Sequence, residues 1–150
     1  ALTRQNLPEI REYIKENLSA RGAYTISETK GELQVTIFAT GSEVSLALEA
    51  QKTLHTKNIG TKVVSVPCTE LFFKQDSEYK VKFLCNNSIK VAVEAAVKMG
   101  WEKFIGPHGI FIGMESFGES APAEQLYKLF GITAENVVKK VIDKIAARNS

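Results

Sequence analysis

Residues 33–43 are the stretch that most constrains what this chain can fold into. They hold a short, β-prone apolar run that is followed by a glycine, a serine and a glutamate. A run of this length and composition is typical of a buried strand rather than a helix. Thr40, Gly41 and Ser42 are predicted to form a turn, in which Ser42 caps the first free amides of the next helix. Strand, turn and helix together are the start of a βαβ unit.

The rest of the chain alternates between strand patterns and helix patterns. The predicted strands cover residues 23–27, 33–39, 62–66, 89–93 and 110–114. The predicted helices cover a short segment from Pro8 to Leu18, then 44–57, 76–84, 122–130 and a last helix that Thr133 caps. Residues 68–73 are predicted to be a loop, and 94–109 to be irregular with one helical turn around Trp101. The last helix should bury Val137, Val138, Val141, Ile142 and Ile145.

These elements predict an α/β domain with a mostly parallel sheet of about five strands. Residues 28–32 are too few to hold a crossover helix, so the first two strands are predicted to be antiparallel neighbours. The first strand would then lie at the edge of the sheet. Right-handed crossovers elsewhere would put helices on both faces.

Size and charge limit the classes of function. The chain has 150 residues and a net charge of +2, which fits one domain and gives no electrostatic footprint for nucleic acid. No apolar run approaches the length of a membrane span, and Ala1 to Leu7 does not resemble a signal peptide. Cys68 and Cys85 have no metal-binding or redox spacing, so we expect free thiols in a reduced, cytoplasmic protein.

Ligands of such sheets gather at the carboxyl ends of the strands, a region called the rim below. The rim is predicted to hold residues 40–42, 67–70, 94–95 and 115–118. The turn at 40–42 opens a helix, where phosphate often binds, but it lacks a glycine-rich fingerprint and a P-loop lysine. Glu43 already lies at the positive end of that helix. Helix capping is therefore favoured over anion binding, which stays open.

Other candidates for chemistry are weaker. Cys68 could be a nucleophile only beside a base, and neither His55 nor His108 lies at a recognisable spacing from it, so a small apolar loop residue is favoured. No pair of ligands has zinc spacing. Four glutamates near the rim could act as acid or base, but no pattern pairs them and solvated or interface roles are favoured: Glu70, Glu94, Glu115 and Glu119.

Aromatic residues near the rim allow two interpretations. Leu71, Phe72 and Phe73 follow one another, and Phe117 belongs to a later rim loop. Exposed aromatics at a rim would indicate a protein contact surface, such as one between subunits. A loop folded back on the sheet explains the same residues equally well, so both interpretations stay open.

Several segments, taken in order, resemble motifs of one known family. They are residues 1–8, 39–44, 64–72 with 75–76, 91–95, 100–101, 112–114 and 117–123. Together they resemble the C-terminal, third domain of transketolase. The resemblance implies a three-layer α/β/α sandwich whose five-stranded sheet is mostly parallel with one antiparallel edge strand.

The resemblance also implies a function for a longer protein. Transketolases are homodimers that use thiamine diphosphate and a divalent metal, Mg²⁺ or Ca²⁺, to transfer two-carbon ketol units between sugar phosphates in the pentose phosphate pathway. The family's diphosphate–metal motif and its active-site histidines are absent from this chain. The chain is therefore expected to be inactive alone, to hold no catalytic, cofactor or metal residue, and to support the dimer beside the upstream domains.

One family site maps onto this sequence. The resemblance makes Arg4 a ligand of the substrate's terminal phosphate, within a lead-in segment and short helix at 1–22 that precedes a single α/β domain at 23–150. Two rival functions remain open. One is a stand-alone α/β module that binds an anion or nucleotide at the rim, and the other is a catalytically inactive interaction protein.

Overall fold

Five strands form one mixed sheet in the computed structural model, which describes residues 17–96, 98–114 and 123–150. The strands are β1 (Tyr24–Ser27), β2 (Val35–Ala39), β3 (Thr61–Ser65), β4 (Ile89–Val93) and β5 (Ile110–Ile112). Their order across the sheet is β1-β3-β2-β4-β5. β1 is antiparallel to β3, and the other neighbouring pairs are parallel. The predicted fold class, with one antiparallel edge strand, is confirmed.

Helices cover both faces of this sheet. They are α1 (Glu43–Thr56), α2 (Thr69–Phe73), α3 (Ser77–Leu84), α4 (Glu102–Ile105), α5 (Ala123–Leu129) and α6 (Ala134–Arg148), with a 3₁₀ helix at Leu18–Arg21. Residues of α1 and α6 share one apolar core with one face of the sheet, and residues of α2, α3 and α4 share a second core with the other face. The central strand β2 is buried along its whole length, as the apolar run predicts. No helix within the described residues is long and apolar enough to cross a membrane.

The predicted pairing of the first two strands is wrong, because β3 lies between them. The link from β1 to β2 crosses the start of β3 at Gly60, where a Cβ atom would lie 1.8 Å from the carbonyl oxygen of Glu32. Gln51 fixes this crossing, since its Nε2 donates to the carbonyl oxygens of Glu28 at 3.1 Å and Thr61 at 2.8 Å. The link can therefore pass an intervening strand without a helix.

Helix boundaries follow the local signals. Asp76 accepts a hydrogen bond from the amide of Tyr79 at 2.8 Å and caps α3, and the Thr133 hydroxyl accepts one from the amide of Asn136 at 3.2 Å and caps α6. Asn58 ends α1 with a φ of 58°, and the amide of Ile59 donates to the carbonyl of Leu54 at 3.0 Å. This is the Schellman arrangement, and it confirms the predicted stop at Asn58.

Two predictions about apolar residues are corrected. The loop predicted at 68–73 contains the helix α2, because Phe72 is buried and its amide donates to the carbonyl of Cys68 at 3.2 Å. Ile142 is 37% exposed rather than buried, because α6 turns the row through Val137 and Val141 toward the sheet and Ile142 lies at the edge of that row.

The predicted short helix from Pro8 to Leu18 falls outside the described residues, except for residues 17 and 18, and the 3₁₀ helix begins only at Leu18. Pro122 and most of the last rim loop, including Glu115, Phe117 and Glu119, also lie outside them.

Candidate functional site

The rim brings together the ends of β2, β3 and β4, and three glutamates follow these strands. Glu43 lies in the first turn of α1, Glu70 in α2 and Glu94 directly after β4. The sequence places all three near the rim, but it does not indicate their partners. Each carboxylate has its own hydrogen-bond donors, and these contacts decide what the rim can bind.

Glu43 forms a buried network with Ser42 and Tyr127. Its side chain is 5% exposed, and its Oε1 accepts hydrogen bonds from the Ser42 hydroxyl at 2.8 Å and from the Tyr127 hydroxyl. The two hydroxyls are themselves 3.0 Å apart. Tyr127 lies in α5, and no local pattern of the sequence links it to Glu43. The network therefore connects the end of β2 to a helix far along the chain.

The predicted capping by Ser42 is wrong. Ser42 already has helical φ and ψ angles, and its hydroxyl donates to Glu43 instead of accepting from a backbone amide. The amides of Glu43, Val44 and Ser45 donate to the carbonyls of residues 40, 41 and 42 at 3.2, 3.4 and 3.3 Å. The start of α1 therefore offers these amides to no ligand, and the Glu43 carboxylate occupies its positive end.

The groove beside this network is acidic. A pocket of about 350 Å³ lies between α1, α5 and the start of α6, and its lining includes Glu49, Glu124 and Glu135 with one lysine, Lys128. Three carboxylates around one ammonium group would repel a phosphate. This geometry gives no support to an anion or nucleotide site at the turn after β2.

The Glu94 and Glu70 carboxylates also accept hydrogen bonds from neighbouring side chains. The indole Nε1 of the buried Trp101 donates to Glu94 Oε2. The Thr69 hydroxyl donates to Glu70 Oε2 at 3.1 Å, and the Cys68 thiol donates to the same atom at 3.4 Å. A backbone amide hydrogen bond first, and then these two side chains, lower the pKa of the exposed Glu70 carboxyl. Glu70 is thus held as an anion that accepts hydrogen bonds from Thr69 and Cys68.

The two histidines lie at the other end of the sheet. His55 Nε2 is 3.0 Å from the carbonyl oxygen of Thr61, the first residue of β3, whereas Cys68 follows the end of that strand. His108 lies two residues before the start of β5. The described structure therefore brings no histidine to Cys68, and both cysteines are free thiols. Among residues 17–96, 98–114 and 123–150, no three His, Cys, Asp or Glu side chains form a group that could hold a metal ion.

The aromatic residues after β3 belong mainly to the core. Phe72 is buried, and Phe73 is half-buried with its ring centroid 5.0 Å from that of Phe104. The contact-surface interpretation is therefore wrong for Phe72, because its ring fills the space between the helices and the sheet. Leu71 is the exposed apolar residue of this helix. Phe117 lies outside the described residues, as does Arg4.

One prediction tests the buried network. Replacing Tyr127 with phenylalanine is expected to lower the free energy of unfolding by about 1–3 kcal/mol, because a hydrogen bond to a carboxylate is lost inside the protein. Urea denaturation of the Tyr127→Phe, Glu43→Gln and double variants would form a mutant cycle. We expect a smaller loss for Tyr127→Phe in the Glu43→Gln background. Additivity within about 0.3 kcal/mol would contradict the interaction.

Comparison with known proteins identifies the family. Residues 22–133 match the family model described as the transketolase-like TK C-terminal domain. The transketolase of Rhodobacter capsulatus is 49% identical over 148 residues, which cover 94% of this chain and 22% of that protein. The chain thus spans about a fifth of the length of the curated relatives that it matches.

Solved structures give the same result. Transketolase from Leishmania mexicana superposes with a TM-score of 0.75 and 44% identity, over 83% of this chain and 18% of that one. A Pichia stipitis transketolase variant in complex with fructose 6-phosphate superposes with a TM-score of 0.76 and 35% identity, over 85% and 18% of the two chains. The sequence motifs, the sheet order and these similarities agree, and the chain belongs to the transketolase C-terminal domain family.

Proposed function

We propose that this chain is the C-terminal domain of a thiamine-diphosphate-dependent transferase that moves two-carbon ketol units between sugar phosphates. The observation that carries the proposal is the similarity to full-length transketolases over nearly the whole chain. The Pichia stipitis relative binds a sugar phosphate, which supports the same class of substrate here. The free thiols of Cys68 and Cys85 suit the reducing cytoplasm as its location.

Within that enzyme, the domain's role is mainly structural. The described rim carboxylates already accept hydrogen bonds, and Glu43 would repel a diphosphate rather than bind it. The residues described here therefore do not fit thiamine diphosphate with its divalent metal. We assign the cofactor and the reaction to upstream domains, and to this domain the support of a homodimer with a second copy of the enzyme.

Within the chain we place a lead-in segment with a short helix at 1–22 and one α/β domain at 23–150. The family match begins at Gly22, whose φ of 81° ends the 3₁₀ helix and turns the chain into β1. The carbonyl oxygen of Gly22 accepts a hydrogen bond from the amide of Cys68 at 3.1 Å. The lead-in segment therefore joins the domain at a point fixed against the rim.

Arg4, in this lead-in segment, is proposed to bind the terminal phosphate of the substrate. A guanidinium group suits the role because its planar fork can donate two parallel hydrogen bonds to phosphate oxygens. The phosphate is remote from the reacting carbons, so contacts to it should be similar in the ground and transition states. Loss of such a contact raises KM more than it lowers kcat.

The experiment uses the longer protein that contains this chain. Arg4→Ala is expected to raise the KM of a phosphorylated ketose donor about 10- to 150-fold, the equivalent of one charge-assisted hydrogen bond. The KM of a ketose donor without phosphate should change little, and Lys140→Ala on the exposed face of α6 is the control for loss of a positive charge.

The same assay tests the proposed function separately. Ketol transfer by the unsubstituted protein must depend on added thiamine diphosphate and Mg²⁺. Absence of transfer would contradict the function itself. Equal losses on both donors, or no loss on either, would contradict only the role of Arg4.

A further inference from the structure

A basic pocket lies at the opposite end of the sheet from the rim. It has a volume of about 300 Å³ and is formed by the turn before β4, the turn before β5 and the end of α6. We call it the amino-end pocket, and its polar lining is provided by Asn86, Asn87, Ser88, Lys90, His108 and Arg148. None of these residues takes part in the rim contacts described above.

The turn before β4 forms one wall of the pocket, and its own hydrogen bonds fix its conformation. Asn86 Oδ1 accepts hydrogen bonds from the amide of Ser88 at 3.1 Å and from its hydroxyl, and the Ser88 hydroxyl lies 2.8 Å from the buried hydroxyl of Thr36 in β2. Lys90 Nζ donates to the carbonyl oxygen of Asn86 at 2.8 Å. This turn therefore positions the lysine at the pocket and ties it to the central strand.

The opposite wall is fixed by close packing. A Cβ atom at Gly109 would lie 2.3 Å from the Cβ of Ile105 and 2.4 Å from its carbonyl oxygen, so only glycine lets this turn lie against α4. Ile105 is buried in the core and lines the pocket. His108 and Pro107 are thereby carried on a turn that rests on a rigid support. The pocket is a built cavity between two anchored turns.

Among the described residues that line the pocket, Lys90 and Arg148 are positively charged and none is a carboxylate. Burial lowers the pKa of Lys90, and the nearby charges of Arg148 and Lys62 lower it further, while only the Cys85 thiol acts in the opposite direction. Within the part of the chain that the structure describes, no carboxylate acts on this lysine. Positive groups held together in this way repel one another, and a bound anion would relieve that repulsion.

We propose that the amino-end pocket binds the phosphate group of a small phosphorylated metabolite. Arg148 offers a planar fork of donors, and Lys90 offers a compact positive charge, the two kinds of cation that proteins use for phosphate. Asn86 and Asn87 carry side-chain amides that can donate as well. The volume is at the small end of the range for ligand pockets, which suits a phosphate with a few carbon atoms rather than a nucleotide.

The lining of the amino-end pocket does not include Arg4, the proposed ligand of the substrate phosphate. The pocket lies at the starts of β4 and β5, whereas the predicted substrate side of the domain is at the ends of the strands. A metabolite bound here would touch this domain without occupying the place of the substrate. The amino-end pocket is therefore a second, independent phosphate site in this domain.

The test is a residue-resolved NMR titration of the 150-residue chain labelled with ¹⁵N. The probes are inorganic phosphate, fructose 6-phosphate and unphosphorylated fructose, each against sodium chloride at matched ionic strength. We expect saturable shifts of the amides of residues 86–90, 108–109 and 148 with both phosphates and none with fructose. Fructose 6-phosphate binding more tightly than phosphate would show that the pocket also contacts the sugar.

Two variants and a matched control make the assignment specific. Lys90→Gln and Arg148→Gln are each expected to weaken phosphate binding about 10-fold or more, since each removes a charge-assisted hydrogen bond. Lys140→Gln removes the same charge from the exposed face of α6 and should leave the affinity unchanged. Arg148 is exposed, so its variant should fold even if Lys90→Gln perturbs the turn.

Four results would overturn the proposal. Three of them are shifts no larger than those with sodium chloride, saturable shifts that persist unchanged in both pocket variants, and equal weakening by Lys140→Gln. Shifts that map instead to the turn after β2 would place the phosphate at the rim and would also overturn it. None of these results depends on catalytic activity, so a failure of this proposal would not contradict the proposed function.

Discussion

Replacing Phe72 with alanine is expected to lower the free energy of unfolding by about 3–5 kcal/mol, the usual cost of removing a buried phenylalanine ring. The Phe72 side chain is 0% exposed and belongs to the core between the sheet and α2, α3 and α4. Truncation would remove its apolar contacts and leave a cavity that rigid neighbours cannot fill. The large expected effect follows from the number and rigidity of those neighbours.

Four aromatic rings surround Phe72. Its ring is stacked on Phe104 with centroids 5.1 Å apart, and it meets Phe83 edge to face at 5.7 Å. Phe73 and Tyr79 complete the cluster at 5.2 and 6.3 Å. Aromatic pairs in such arrangements contribute about 0.5–1.5 kcal/mol each beyond the burial of area. Phe72 thus links α2 to both α3 and α4.

Urea denaturation followed by circular dichroism measures this effect. Leu71→Ala is the matched control, because Leu71 is the adjacent residue of the same helix and is 40% exposed. We expect its cost to be below about 1 kcal/mol, as for most partly exposed positions. Equal losses for the two variants would mean that the aromatic cluster does not hold α2 to the sheet.

The elements that the sequence predicts correctly rest on local chemistry. Asp76, Thr133 and Asn58 act on backbone groups within a few residues, so their spacing alone predicts where helices begin and end. The apolar runs likewise mark β2 and β4 as buried strands. These features can be predicted because the residues that cause them lie within, or a few residues from, the helix or strand that they determine.

The errors arise where distant segments meet. Whether β1 neighbours β2 or β3 depends on the close passage at Gly60, and no propensity of residues 28–32 encodes that passage. Ser42 would cap a helix in isolation, but Tyr127 and Glu43 offer its hydroxyl other partners. The candidate site follows the same rule, because the rim residues can be placed from the sequence while their partners cannot.

Replacing Gly22 with alanine is expected to lower the free energy of unfolding by about 2–5 kcal/mol through two separate costs. The first is conformational, because Gly22 has a φ of 81°, and the left-handed region costs other residues about 1–2 kcal/mol. The second is steric. A Cβ atom would lie 2.2 Å from the amide nitrogen of Phe72 and 2.4 Å from the carbonyl oxygen of Cys68, and such overpacking costs about 1–3 kcal/mol.

Gly31 separates the two costs. Its φ of 76° is close to that of Gly22, but a Cβ atom there would meet no other atom within 4 Å. Gly31→Ala should therefore show only the conformational cost, and the difference between the two variants in urea denaturation should equal the steric cost. If Gly22→Ala costs no more than Gly31→Ala, the close packing of Gly22 against α2 does not stabilise the fold.

The steric cost at Gly22 matters for function because Gly22 lies where the lead-in segment packs against α2. The atoms that a Cβ at Gly22 would strike form the hydrogen bond from the amide of Phe72 to the carbonyl of Cys68, which opens α2. Alanine would therefore displace α2 and the aromatic cluster along with the point where the lead-in segment joins the domain. We expect Gly22→Ala, but not Gly31→Ala, to shift the amide NMR signals of residues 68–73. Undisturbed signals there would mean that the junction and the rim move independently.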